Sequence, residues 1–264
     1  MTGSFSGKWA LILGASSGFG AAAAQELARQ GMHIIGVHLD RRAALAQVEE
    51  LVRAIRSSGV QALFFNVNAA DPLKRQEVLD QVQPKLAGST VSVFMHSLAF
   101  GTLKPYLAPD PKEQLTKDQM EMTLDVMAHS LVYWVQDLLT RRLIGTGSHL
   151  FAMTSSGGSR VWPSYGAVSA AKAALESHVR QLAMELAPYG VTANCIRAGV
   201  TDTPALRKIP GNEQMMEFAK VRNPYHRLTS TEDVAQAIAI LSNSGADWVT
   251  GNVIGADGGE DIVG

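Results

Sequence analysis

The sequence predicts one doubly wound α/β domain, a parallel sheet of about seven strands with helices on both faces. Three observations carry that expectation. Short apolar runs alternate with longer amphipathic ones along nearly the whole chain. A glycine-rich turn, Gly14-Ala15-Ser16-Ser17-Gly18-Phe19-Gly20, joins the first apolar run to the first helical one. The length, 264 residues, suits one large domain spanning 1–264 and leaves little room for a second.

Taken in order, Lys8 to Leu13 reads as a strand, and Phe19 to Gln30 as a helix that Gly31 ends. Met32 to His38 is a second strand. Arg42 to Ser58 is a helix stopped by Gly59. Val60 to Phe65 follows as a third strand, and Pro72 to Leu86 as a helix with proline in its first turn. Val91 to Met95 is the fourth strand. Phe100 to Lys117 holds Pro105, Pro109 and Pro111 and reads as an excursion around a site. Asp118 to Arg142 reads as one long helix, Ser148 to Met153 as the fifth strand, and Ser164 to Leu186 as a helix closed by Pro188 and Gly190. Val191 to Ile196 is the sixth strand. Pro204 to Pro224 is irregular or broken helix. Thr231, as N-cap, heads a helix to Leu241, and Asn252 to Ala256 is the last strand.

Composition excludes several functions. Hydrophobic residues make up 46%, charged residues 18%, and the formal net charge is -1, so nothing marks nucleic acid or an anionic membrane as a partner. The single cysteine, Cys195, cannot form an internal disulfide, which fits a reducing compartment. Met1 to Lys8 lacks the basic-then-apolar pattern of a leader. The longest stretch without Asp, Glu, Lys or Arg, Leu86 to Leu103, is too polar for a membrane span. A cytoplasmic protein is the expectation. The seven histidines are scattered and form no ligand set, so no metal is expected.

The glycine turn sits between a strand and a helix at the start of the chain, the context in which such a turn binds a dinucleotide. Gly14 makes the tight turn, Gly18 lets the backbone approach a pyrophosphate, and Gly20 lets the helix pack closely. The uncompensated amides of the helix start face the phosphates. Ser16 and Ser17 add hydroxyl donors. Gly-x-x-x-Gly-x-Gly in this place resembles the cofactor turn of the short-chain dehydrogenase/reductase family, a Rossmann-type fold, and the likeness extends to the Asp257-Gly258-Gly259 turn. The resemblance implies cofactor contacts from Phe19, Asn66, Val67, Ser97, Leu98, Ala99, Thr201 and Thr203. The family position that chooses between NAD and NADP falls on His38. Arg41 or Arg42 would meet a 2′-phosphate, whereas Asp40 would bind ribose hydroxyls. A solvated helix start is the plain alternative for both arginines. NADPH is the expected cofactor ahead of NADH.

The segment Thr154-Ser155-Ser156 through Tyr165 to Lys172 carries the chemistry. Ordinary members of the family have Tyr-x-x-x-Lys. Here the position four before the lysine is Val168, and the tyrosine lies seven before it. A helix turns about 100° per residue, so four and seven residues return near one face, about 6 and 10.5 Å along the axis. Tyr-x6-Lys resembles the spacing of enoyl-acyl-carrier-protein reductases within the family. Met95-His96-Ser97-Leu98-Ala99-Phe100, Lys172-Ala173-Ala174-Leu175-Glu176, Ala198-Gly199 and the tail Asp261-Ile262-Val263-Gly264 are similar too. The glycine turn is of the ordinary type, which places the likeness with a divergent subgroup that retains Gly-x3-Gly-x-Gly.

The chain also departs from the pattern. Ser155 stands where many enoyl reductases have a second tyrosine, and it matches the family's catalytic serine by its distance from Lys172. Thr154 and Ser156 stand beside it as equal candidates. No asparagine occurs in Asp125-Val126-Met127-Ala128-His129. Val200 replaces the proline usual after Gly199.

The resemblance implies reduction of a 2-enoyl thioester, as in fatty acid biosynthesis. Tyr165 would hydrogen-bond the enolate, Lys172 would bind the nicotinamide ribose and lower the phenol's pKa, and Ser155 would assist. Leu206, Ile209, Met215, Met216 and Phe218 suit a lid over an acyl chain at about 204–225; an amphipathic helix packed on the core is the equal alternative. An acyl carrier protein as partner and a homotetramer are further implications. A carbonyl reductase of the same family is the rival reading, and a non-catalytic dinucleotide-binding regulator the remote one.

Overall fold

The computed structural model describes residues 5–263. Residues 1–4 of the stretch read for a leader, and Gly264 of the tail, lie outside the described residues.

Seven strands form one parallel sheet in the order β3-β2-β1-β4-β5-β6-β7. They are β1 (Trp9–Leu13), β2 (His33–His38), β3 (Ala62–Asn66), β4 (Val91–His96), β5 (Ser148–Ser155), β6 (Val191–Ala198) and β7 (Val253–Ala256). The order reverses at β1. The chain runs outward to β3, then returns to lay β4 on the free side of β1. Where strand order reverses, the connections leave in opposite directions and a crevice opens beyond the carboxyl ends of the two strands.

Alternation along the strands sorts the core into two layers. Trp9, Leu11 and Leu13 face one side, with Val78 and Leu79 of α3 (Pro72–Leu86), Trp134 of α5 (Ser130–Thr140), and Leu175 and Val179 of α6 (Gly166–Leu186). Ala10 and Ile12 face the other, with Leu27 of α1 (Gly18–Arg29), Leu51 and Ile55 of α2 (Leu45–Ser57), and Val234 and Ile238 of α8 (Thr231–Leu241). Helices thus bury apolar stripes on both faces, as a doubly wound sheet requires. Among the described residues, no helix is long and apolar enough to cross a membrane.

Several boundaries differ from the sequence reading. The N-cap of α8 is Ser230, not Thr231. Ser230 accepts from the Asp233 amide and Asp233 returns the bond to the Ser230 amide. A cap must sit outside the helix in extended conformation, and Thr231 is already inside. The single helix expected from Asp118 to Arg142 is three pieces: α4 (Lys117–Leu124), a π-turn over Asp125–His129, and α5. Ser130 Oγ donates to the Val126 carbonyl at 2.8 Å, tying the widened turn from inside. Segment 204–225 contains a 3₁₀ turn, Leu206–Lys208, and α7 (Asn212–Arg222). Its apolar side chains divide: Leu206 and Ile209 are buried, and Phe218 is exposed.

Candidate active site

The glycine turn closes the β1 end of the crevice. Gly14 lies at φ +82°, and a Cβ there would collide with the Ser97 carbonyl. Glycine is therefore required where the loop after β1 passes under the loop after β4, whose Ser97 amide donates to Leu13 at 2.9 Å. A Cβ on Gly20 would meet the Gly14 carbonyl, so the helix start packs on its own turn. Ser17 is the N-cap of α1 but its side chain makes no capping bond, which leaves the helix amides available to an anion. Thr203 stands over this turn, its methyl 3.6 Å from where a Gly18 Cβ would lie, while its hydroxyl accepts from the Leu206 amide at 3.2 Å. Thr201 is buried, and its hydroxyl donates to the Gly199 carbonyl. Leu98 packs on the core, and Ala99 is exposed beyond it.

At the ribose end His38 is buried and its Nδ1 lies 2.9 Å from the Asp40 carboxylate. The Asn66 amide clasps the Asp40 backbone, accepting at 2.9 Å and donating at 3.0 Å. Asn66 therefore pins this loop with the side chain expected to contact the cofactor. The Val67 amide donates to the His38 carbonyl at 2.8 Å. Arg41 and Arg42 are exposed and join no ion pair among the described residues. A groove of about 510 Å³ adjoins this end, between α2 and β3, lined by Val48, Arg56 and Phe64 among others.

At the other end, Tyr165 is the N-cap residue of α6 rather than a member of its first turn. Ser164, at φ +60°, turns the chain into it, and the Tyr165 carbonyl accepts the Ser169 amide at 2.8 Å. The phenol thus projects from the helix mouth two turns before Lys172. A Cβ on Gly157 would crowd both the Tyr165 ring and Ser155 Oγ, which puts the two side chains side by side. Ser155 Oγ is buried and completes no hydrogen bond of ordinary geometry, though it lies close enough to draw the phenol's pKa partly back down. The neighbouring Thr154 is committed elsewhere, donating to Glu176 at 2.6 Å. Ser155 is the hydroxyl left without a partner among the described residues, beside the Tyr165 ring; Ser156 enters a 3₁₀ turn, and its carbonyl accepts two amides.

Lys172 is buried and donates to the Met153 carbonyl at 2.7 Å. Burial pulls its pKa down to about 8, against the smaller opposing pull of Cys195 and Glu176. Burial pushes the Tyr165 phenol above its usual range, and the relief comes from Ser155. The lowering expected from Lys172 is absent among its causes: the phenol stays neutral because desolvation outweighs the rest. Burial likewise pushes the Cys195 thiol up to about 12, which leaves it inert.

Sequence reasoning quoted His96 but gave it no role. It is fully buried beneath the π-turn, its Nε2 2.9 Å from Ser130 Oγ, and its Nδ1 without a partner. Burial and the nearby Lys172 charge pull its pKa down to about 3, so it is neutral. Because Ser130 donates its own proton to Val126, it accepts from His96 Nε2–H. Ser130 directly follows the segment where the family asparagine is missing, and His96, the last residue of β4, reaches it from the sheet. Glu176, four residues beyond Lys172 on the same helix face, was also overlooked; the i,i+4 spacing was its signal.

Residues 14–260 match the family described as Enoyl-(Acyl carrier protein) reductase. The chain belongs to this family of short-chain oxidoreductases. It is 28% identical to 1-cyclohexenylcarbonyl-CoA reductase of Streptomyces collinus over 255 residues, 96% of this chain and 86% of the relative. It is 29% identical to the enoyl-[acyl-carrier-protein] reductase [NADH] FabI of Salmonella typhimurium over 262 residues, 98% of this chain and 96% of the relative. The solved structure of LugOII, a promiscuous reductase that catalyses keto-reduction, superposes with a TM-score of 0.82 at 27% identity, covering 98% of this reductase and 99% of that chain.

Proposed function

We propose that this reductase saturates the carbon-carbon double bond of a 2-enoyl thioester with NADPH. One observation carries the reading: a half-buried, neutral phenol stands two helical turns before a buried lysine, with Val168 where a ketone-reducing member would place its tyrosine. Its own residues fit a dinucleotide. The glycine turn and uncapped α1 suit the pyrophosphate, the two unpaired arginines suit a 2′-phosphate, and the orphaned Ser155 hydroxyl faces the reacting end.

Bound cofactor would supply a hydride to the β-carbon of the enoyl group. As negative charge moves to the thioester oxygen, Tyr165 donates a hydrogen bond to that oxygen. A phenol held neutral by burial is suited to donating a hydrogen bond and keeping its proton, the requirement for stabilising an enolate; the α-carbon then takes its proton from solvent water, which completes the saturation. Lys172, fixed by the Met153 carbonyl, directs its remaining protons toward the ribose hydroxyls. Ser155 orients the phenol. The segment around α7 covers the acyl chain, with Met215 and Met216 half-buried on it. The carrier is acyl carrier protein or coenzyme A, in the cytoplasm, and the enzyme works as a homotetramer; the exposed Trp248 and Val253 at the β7 edge suit such an assembly.

The deciding experiment is single-turnover oxidation of NADPH with crotonyl thioesters, by wild type and Tyr165→Phe, beside a panel of ketones. Turnover of thioesters that collapses in Tyr165→Phe supports the reading. Reduction of ketones with no thioester turnover overturns it.

A further inference from the structure

After β6 the chain runs Gly199-Val200-Thr201, with valine where the resemblance leads one to expect proline. Proline carries no N–H, whereas valine does, and a buried N–H needs an acceptor. The acceptor comes from the C-terminal tail. Glu260, 2% exposed, takes the Val200 amide on Oε2 at 3.0 Å. Its other oxygen, Oε1, accepts from Arg222 Nη2 at 3.0 Å. Arg222 is the last residue of α7. Gly199 makes the fit possible, because a Cβ there would lie 2.8 Å from Glu260 Oε2 and would crowd Thr229 Oγ1.

One buried carboxylate therefore joins two segments that the proposed function treats separately. One is the loop after β6, residues 200–203, which leads to the threonine standing over the glycine turn. The other is the helix over the acyl pocket. Charge-assisted hydrogen bonds on both oxygens are what let a carboxylate sit there. Burial raises the Glu260 pKa, and the Val200 amide and Arg222 oppose the rise.

Building on that function, we propose that Glu260 is a positioning residue: through the Val200 N–H it holds the 200–203 loop against the dinucleotide, and through Arg222 it couples that loop to α7. The valine and the glutamate are a matched pair. Without the N–H the carboxylate has no reason to reach the loop, and without the carboxylate the N–H is buried unpaired.

Two measurements test this on the whole chain. In the cofactor-free protein, hydrogen exchange at the Val200 amide should be about tenfold faster in Glu260→Gln than in wild type. Equal rates overturn the proposal. In NADPH titrations followed by nucleotide fluorescence, Glu260→Gln and Val200→Pro should each raise Kd about tenfold. Val200→Ala keeps the N–H and should stay within about twofold. The double variant Glu260→Gln/Val200→Pro should be within about twofold of the weaker single variant, because both changes break one bond. Multiplying effects, about a hundredfold in all, would show independent roles and overturn the proposal. If Glu260→Gln does not fold, Arg222→Gln takes its place in the cycle with Val200→Pro, under the same criterion of non-additivity. A wild type that binds no NADPH overturns the function proposed above, whereas the exchange comparison judges the role of Glu260 without any cofactor.

Discussion

At the tyrosine end of the crevice, the supporting groups are committed before any ligand arrives, Lys172 to the Met153 carbonyl, Thr154 to Glu176, and Ser130 to both His96 and Val126, while the Ser155 hydroxyl beside the phenol is left without a partner among the described residues. At the ribose end only the inner layer is committed. His38 and Asn66 grip Asp40, and beyond them Arg41 and Arg42 stand in solvent. The contrast follows from what each end must do. Stabilising charge in a transition state rewards groups already fixed in a dry site. Recognising a phosphate needs only cations within reach, and exposed side chains can supply them. Changes to the phenol and the hydroxyl beside it should therefore alter rate, changes to Lys172 should alter overall cofactor affinity, and changes at the second end should alter cofactor choice.

The strongest test is Tyr165→Phe, which keeps the ring and removes the donor. Its kcat with crotonyl thioester should fall about 10²–10³-fold in stopped-flow assays, while NADPH Kd stays within about threefold. A fall in affinity with kcat preserved would erase the contrast.

Lys172 is next. Its pKa of about 8 means that the ammonium is lost as pH rises through that value. Cofactor affinity should decline above about pH 8 with the slope of one proton, and Lys172→Met should be weak and flat across the same range. The sign is set by burial, which disfavours the charged form. A profile that stays level to pH 10 would remove Lys172 from cofactor binding.

At the ribose end, Arg41→Ala/Arg42→Ala should raise the NADPH KM about tenfold or more and leave NADH within about twofold. Equal effects on both cofactors would reassign the arginines to a solvated surface. Ser155→Ala should lower kcat by about three- to tenfold, since it removes the hydroxyl beside the phenol that draws its raised pKa partly back down. Far from either end, Ser230→Ala should cost about 1 kcal/mol in urea unfolding by breaking the α8 capping box, with kinetics unchanged.

Legibility followed the same division. The strand-helix alternation, the glycine turn and the Tyr165–Lys172 spacing are local patterns, and each was readable because its physics repeats within a few residues. The mistaken cap at Thr231 was a local error of one position. The π-turn at Asp125–His129 was not readable, because nothing in its five residues announces it; the cause is a hydroxyl one residue later, held under His96 of β4. Asn66 was assigned to a ligand, yet it spends its amide on Asp40, 26 residues away.

Periodicity, turn chemistry and spacing along the chain thus specified the sheet, the glycine turn after β1 and the placing of Tyr165 two helical turns before Lys172. Those properties are set by neighbours in sequence. Folding in three dimensions determined which polar groups are already satisfied, which remain unpaired, and how far burial moves each pKa. Those depend on residues far apart in sequence that meet only when the sheet closes, as Val200 meets Glu260.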